Sequence, residues 1–254
     1  AAGDVLYRFV AMARDADSEY DHVSERKIYI APSLTWKIDP TLSLTVFGEY
    51  QNIDSPGGGG APALSANGTL YADPVWGYLP RSTFVGEPDY DHFESTSKQI
   101  GLRLEKQITP DWAFNQVLRY SEADVDTQRV QLYCLTASCG PTEAARYAWG
   151  FPETSEIWAY DAHLTGKIRS GAVEHDLLFG LDASREKSNF QETALSYVSM
   201  GWDVFNPTYV GGVTRPPVAM TIDQTREQIG LYAQDQISWG KAVFSAGLRQ
   251  DWAD

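Results

Sequence analysis

The sequence predicts an all-β chain folded as an antiparallel up-and-down transmembrane β-barrel, present in part, and three observations predict it. About nine segments alternate apolar and polar residues with period two, the signature of a sheet between two unlike media. The links between them alternate between very short and very long, so one end of the meander is built differently from the other. Trp36, Trp112 and Trp239 stand beside short links, where an aromatic ring marks a membrane interface.

Taken in order, Ile28, Ile30, Leu34 and Trp36 stand opposite Lys27, Ser33, Thr35 and Lys37. Ile100, Leu102 and Leu104 oppose Arg103 and Glu105; Trp112, Phe114, Leu118 and Tyr120 oppose Asn115 and Arg119. The clearest alternation puts Trp158, Tyr160, Ala162, Leu164 and Ile168 on one face and Asp161, His163, Thr165 and Lys167 on the other. Leu177, Phe179, Leu181 and Ala183 then oppose Asp182 and Ser184, and Phe244, Ala246 and Leu248 oppose Ser245 and Arg249. A soluble sheet with one solvated face has the same alternation, but several of these strands run past the five or six residues usual there.

Short links fall at 37–41, 107–111, 169–174 and 238–242, with the turn pairs Asp39-Pro40, Thr109-Pro110, Ser170-Gly171 and Trp239-Gly240. Such tight connections make consecutive strands antiparallel neighbours. Residues 52–93, 122–155 and 187–222 read as long loops, with a smaller one at 15–23. Bacterial single-chain barrels use even strand numbers, so nine strands read as a piece of a larger barrel.

Lys and Arg number 20 against 34 Asp and Glu, a formal charge of −14, which disfavours nucleic acid as a partner. No apolar run approaches the roughly 18 residues of a spanning helix, which leaves barrels untouched. The four histidines lie in separate segments without metal-ligand spacing, and His163 and His175 read as polar-face residues. Gly57 to Gly60 opens no helix and is not a phosphate loop. Nothing here argues for an enzyme or for a resident cofactor.

The long links hold the candidate site. Residues 52–93 open on a Gly-rich run and continue through Asp73, Pro74, Val75, Trp76, Gly77 and Tyr78. Trp76 and Tyr78 offer stiff apolar area with polar tips for a ligand, or else pack the loop upon itself. Cys134 and Cys139, with four residues between, lack the second pair of a structural zinc site and the two-residue spacing of a redox motif. A local disulfide in an oxidising compartment is one reading; unpaired thiols are the other.

The stretch from Gly77 to Ser121 resembles the third extracellular loop and next hairpin of TonB-dependent ferric-siderophore receptors of the ferrichrome and ferrioxamine type. Residues 175–190, the VFNPTY segment at 204–209 and residues 224–254 are similar to further parts of that family. The resemblance implies a Gram-negative outer-membrane barrel of about 22 strands with a plug in its lumen. Residues 1–254 would all belong to the barrel domain, and the N-terminal plug and C-terminal strands are not found in this sequence. It implies binding and TonB-driven uptake of a ferric siderophore, with hydroxamates favoured, and iron ligated by the siderophore alone. It implies Trp76, Tyr78 and Tyr133 as ligand-binding aromatics, and a fourth-loop disulfide between Cys134 and Cys139. The partners it implies are the siderophore, the TonB complex acting through the plug, and outer-membrane lipid and lipopolysaccharide, the full-length receptor being a monomer. A passive porin is the alternative, separable by whether the upstream coding sequence encodes a plug. A barrel hydrolase would need a catalytic constellation at one rim, and none is found.

Overall fold

A computed structural model describes residues 3–58, 64, 66–133 and 144–254. Ten strands form one antiparallel sheet: β1 (Asp4–Asp17), β2 (Ser24–Asp39), β3 (Leu42–Pro56), β4 (His92–Thr109), β5 (Trp112–Tyr133), β6 (Ala144–Ser170), β7 (Val173–Thr193), β8 (Ser196–Trp202), β9 (Val218–Trp239) and β10 (Ala242–Ala253). Nine of them lie in chain order, β1 to β7 and then β9 and β10. The short β8 leaves that path and pairs with the upper end of β6. The up-and-down order and the about nine wall strands are therefore as the sequence predicts.

Register explains the alternation. One row crosses all nine wall strands through Tyr7, Leu34, Val46, Leu102, Leu118, Tyr160, Ala183, Ile229 and Trp252. The row one residue away reads Leu6, Thr35, Thr45, Arg103, Val117, Asp161, Asp182, Gly230 and Asp251. An unbroken apolar row beside a polar one is what hydrocarbon outside and an aqueous lumen inside require. Many large apolar side chains of the first face are accordingly exposed, Leu34, Trp36, Ile100, Trp158, Phe179, Ile229 and Leu248 among them.

The polar face is tied across strands. Arg249 grips Asp182 with two hydrogen bonds of 2.6 and 3.0 Å, and the Tyr232 hydroxyl donates to Asp161 at 2.9 Å. Thr35 and Thr45 hydroxyls meet at 2.8 Å, and Lys167 pairs with Asp176 at 3.0 Å. His163 lies on this face, beside Asp161. His175 does not. It shares parity with Leu177 and Phe179 on the apolar face, where its Nδ1 stands 2.8 Å from Asp235. Counting by twos from Leu177 places it there, and the Asp235 carboxylate offsets the cost of a polar ring on that side.

The four short links are two-residue turns, and Gly171 and Gly240 take the positive φ of 63° and 60° that such hairpins need. The opposite rim is more ordered than the sequence suggests. The supposed loop 122–155 is mostly hairpin, since β5 and β6 stay paired from Trp112–Gly166 up to Tyr133–Ala145. The 187–222 segment likewise contains the end of β7, β8 and the start of β9. Above the hydrocarbon both faces meet water or other loops, so the apolar–polar contrast fades while backbone pairing continues.

Candidate functional site

The long-loop rim gathers three segments: the described residues of 57–91, the paired upper ends of β5 and β6, and residues 203–217. Within the first, the Asp73 carboxylate accepts from the amides of Val75 at 2.8 Å and Trp76 at 3.0 Å. Backbone bonds between Asp73 and Gly77 at 2.7 and 2.9 Å close the turn. This knot presents Trp76 and Tyr78 outward, with 51% and 63% of their surface exposed. Trp76 stacks on Phe205 from the third segment, ring centroids 6.0 Å apart and planes at 25°. Phe205 in turn packs with Leu64, Leu79, Leu132 and Tyr209 on a core of Val85, Trp202 and Val204. A second core of Tyr90, Val130 and Ala148 takes up Val198 and Val213.

Polar groups fasten these layers. Arg146 and Glu87 form an ion pair with side chains 0% and 1% exposed. Arg146 Nε donates to Ser199 Oγ at 3.0 Å and Nη1 to the Gly86 carbonyl at 3.1 Å, while Trp202 covers the guanidinium at 4.7 Å. The Glu87 carboxylate also accepts from the backbone amides of Val210 and Gly211, each at 3.1 Å. Asp91 accepts from the amides of Glu87 and Val130, both at 2.9 Å. Burial pushes the Asp91 carboxyl up to about 7, against the pull of those two amides. A Cβ on Gly86 would strike the Asp91 carboxylate and the Phe84 ring, so only glycine lets the chain pass here.

The β1–β2 turn closes the edge of this assembly. Asp21 N donates to Ser82 O at 2.8 Å, and the His22 ring meets Tyr209 edge-on at 5.1 Å. Between turn, loop and β5 lies a cavity of about 350 Å³, lined mainly by apolar surface and including Tyr20, Phe84, Val85, Asp91, Arg129 and Val130.

Tyr133 sits elsewhere. Its ring meets Tyr147 at 5.8 Å, and Tyr147 meets Tyr197 of β8 at 6.0 Å. Leu132, its neighbour on β5, packs into the core under Phe205. Adjacent strand residues point to opposite faces, so Trp76 with Phe205 and Tyr133 with Tyr147 occupy opposite sides of the hairpin. On the Tyr133 side, Arg129 lies over Trp149 at 5.5 Å and Phe151 at 5.1 Å, and Phe151 stacks on Phe190 at 6.1 Å. These residues continue the parity of the polar, lumen-facing row. Cys134 and Cys139 lie outside the described residues.

The sequence names Trp76, Tyr78 and Tyr133 as candidates and passes over Arg129, Trp149 and Phe151, which fall in a stretch read as loop. Their alternation with Val130, Ala148 and Gly150 was the available signal. Glu87 and Arg146, whose partnership spans 59 positions, are passed over too. Among the described residues no cluster of His, Cys, Asp or Glu is arranged to hold a metal ion.

The family model described as TonB dependent receptor-like, beta-barrel, matches residues 33–254. The ferrioxamine B receptor of Salmonella typhimurium is 30% identical over 247 residues, covering 97% of this chain and 34% of the relative. The ferrichrome outer membrane transporter/phage receptor of Escherichia coli K12 is 25% identical, covering 99% and 36% respectively. The chain thus spans about a third of the length of these curated relatives. Among solved structures, the ferric-catecholate import receptor Fiu of Escherichia coli K12 superposes with TM-score 0.83 at 17% identity, covering all of this chain and 41% of that one. The ferripyoverdine receptor of Pseudomonas aeruginosa gives 0.74 at 19% identity, over 98% and 33%.

Proposed function

Because the chain belongs to the TonB-dependent receptor β-barrel family, we propose that it forms the wall and part of the ligand roof of an outer-membrane receptor that binds and imports ferric siderophores. Hydroxamates are the favoured class, since ferrioxamine and ferrichrome receptors are among its relatives. The TonB complex drives import through a plug in the lumen, and the receptor works as a monomer among outer-membrane lipids and lipopolysaccharide. It performs no covalent chemistry: the siderophore keeps all the iron ligands, and the protein holds the organic shell.

One observation carries this reading. The long-loop rim presents aromatic rings fixed on a rigid base, Trp76 on Phe205 on one face of the β5–β6 hairpin and Tyr133 on Tyr147 on the other, lumen-facing one. Stiff aromatic area with a polar tip suits a ferric chelate, whose outside is a mixture of methylenes and amides. Arg129, backed by Trp149 and Phe151, adds a cation for chelates that carry negative charge. A porin would leave these rings without a task.

The test uses the full-length receptor and ferrioxamine, with a ferric catecholate as comparator. Changing Trp76 and Tyr78 together to Ala should weaken ferrioxamine binding at least tenfold, about 1.4 kcal/mol. Tyr133→Ala should weaken it independently, because it acts from the other face of the hairpin. Wild-type affinity in the Trp76/Tyr78 double variant would remove those residues from the site. If the wild-type receptor binds the catecholate and not ferrioxamine, the hydroxamate assignment fails.

A further inference from the structure

The buried pair of Glu87 and Arg146 has no evident role in the barrel wall. It lies on the long-loop rim, away from the paired strands that span the membrane. A buried ion pair is also a poor way to gain stability, since apolar side chains of similar size commonly do as well or better. What a charged pair with directional partners supplies is a single arrangement. The partners here come from four parts of the chain. Glu87 belongs to the 57–91 loop, Arg146 to β6, Ser199 and Trp202 to β8, and Val210 and Gly211 to the 203–217 segment.

We propose that Glu87 and Arg146 are positioning residues of the ligand roof: their pair locks residues 66–91, the paired upper ends of β5 and β6 and the 203–217 segment into one body that opens and closes together. The inference rests on the siderophore-receptor reading for its purpose, but its geometry stands apart from any ligand. With the pair made, the carboxylate holds the amides of Val210 and Gly211, and the guanidinium holds the Gly86 carbonyl. With the pair parted, both charges must reach water, because neither tolerates burial alone. Intermediate positions leave a desolvated charge unpaired, so the roof has two low-energy states and little between them. The ring of Trp76 follows, since its partner Phe205 packs against Trp202 and Val204 beside the pair. An aromatic on the 57–91 loop and a backbone segment more than a hundred residues later therefore move as a unit.

The experiment is amide hydrogen exchange on the full-length receptor without ligand, for wild type, Glu87→Gln, Arg146→Met and the double variant E87L/R146M. Glu87→Gln keeps the shape and strands the Arg146 charge. It should raise exchange at least tenfold at Val210 and Gly211 and also across 80–91, while amides of β2 to β4 below the rim stay unchanged. Arg146→Met should loosen the same two segments. E87L/R146M, with no charge left to bury, should regain most of the protection across 80–91 and at neighbours of Val210 and Gly211 within 203–217, though not at those two amides, which lose their Glu87 acceptor. Faster exchange confined to the segment that carries the substitution would overturn the proposal, as would unchanged exchange in both. If a single variant fails to assemble a heat-modifiable barrel, Ser199→Ala serves instead. It removes only the bond to Arg146 Nε and should produce a smaller rise in both segments together; a rise in neither or in one alone overturns the proposal. Ferrioxamine dissociation measured in parallel separates the two readings. Loose loops with no ferrioxamine binding even in wild type would sink the functional reading and leave the coupling intact.

Discussion

The orientation of the sheet makes a quantitative demand at neighbouring positions of β5. Leu118 lies in the apolar row, between Leu102 and Tyr160, and Val117 lies in the polar row, between Arg103 and Asp161. Leu118 is six residues above Trp112 at the turn. With a rise of about 3.4 Å per residue and a tilt of about 40°, that places it roughly 16 Å above the turn, near the middle of an apolar band ~25 Å tall. Arg at that depth on the lipid face costs about 2–4 kcal/mol, a factor of about 30 to 800 in the folding equilibrium. Val117→Arg stands at the same height but faces the lumen, with one like and one opposite charge across the strands, and should cost less than about 1 kcal/mol. The assay is reversible denaturant unfolding of the full-length receptor in a bilayer-forming lipid, followed by tryptophan fluorescence. Equal costs at the two positions, or a larger one at Val117, would refute the assignment of faces.

Three further outcomes follow from the rim. Asp91 binds its proton more tightly folded than unfolded, so its contribution is fully present below about pH 4 and is lost as pH rises through about 7. The charged groups that act on it are Glu87 and Arg146, and Tyr90 beside it feels Arg215 and Asp126 as well. Exchange of the Val130 amide, corrected for its intrinsic pH dependence, should be slower at pH 5 than at pH 8, and Asp91→Asn should flatten that difference. Trp202→Ala removes the ring over Arg146 and the bond from its Nε1 to the Thr208 carbonyl at 2.7 Å. A loss of about 3–5 kcal/mol is expected locally, read as rapid proteolysis within 203–217 while the barrel remains folded. Ala148 is 0% exposed against Tyr90 and Val130, so Ala148→Leu should overpack the second core by about 1–3 kcal/mol, measured by exchange in β5 above Gln128.

The legible part of the fold was the part the membrane governs. Period two is forced on Leu34, Val46, Leu102 and Leu118 because hydrocarbon and lumen make opposite demands on successive residues. Turn chemistry was equally plain, with Gly171 and Gly240 where positive φ is required. Above the belt that contrast ends. Val125, Thr127 and Val130 continue β5 beside polar neighbours on both faces, and the pattern no longer distinguishes a paired strand from a loop. His175 shows the same limit in small: its chemistry suggests the polar face, but its parity with Leu177 settles the matter. At the candidate site, Trp76 and Tyr78 were visible as residue types in an unusual loop. The Glu87–Arg146 pair was not, because nothing local to Ala144, Ala145 and Arg146 points to a carboxylate 59 positions earlier.

The hairpin β5–β6 connects these two regimes. Below, its faces separate lipid from lumen; above, the same two faces carry different work. Leu132 and Arg146 pack into the roof with the 57–91 and 203–217 segments, while Tyr133, Tyr147 and Trp149 continue the lumen-facing parity. The tyrosine side and the roof packed on the leucine side therefore share one stretch of backbone. Strand alternation fixes their relative placement, since turning Tyr133 toward the roof would turn Leu132 toward the lumen. This is why the two sets of aromatics should act independently in binding, and yet both depend on the hairpin being held where Arg146 anchors it.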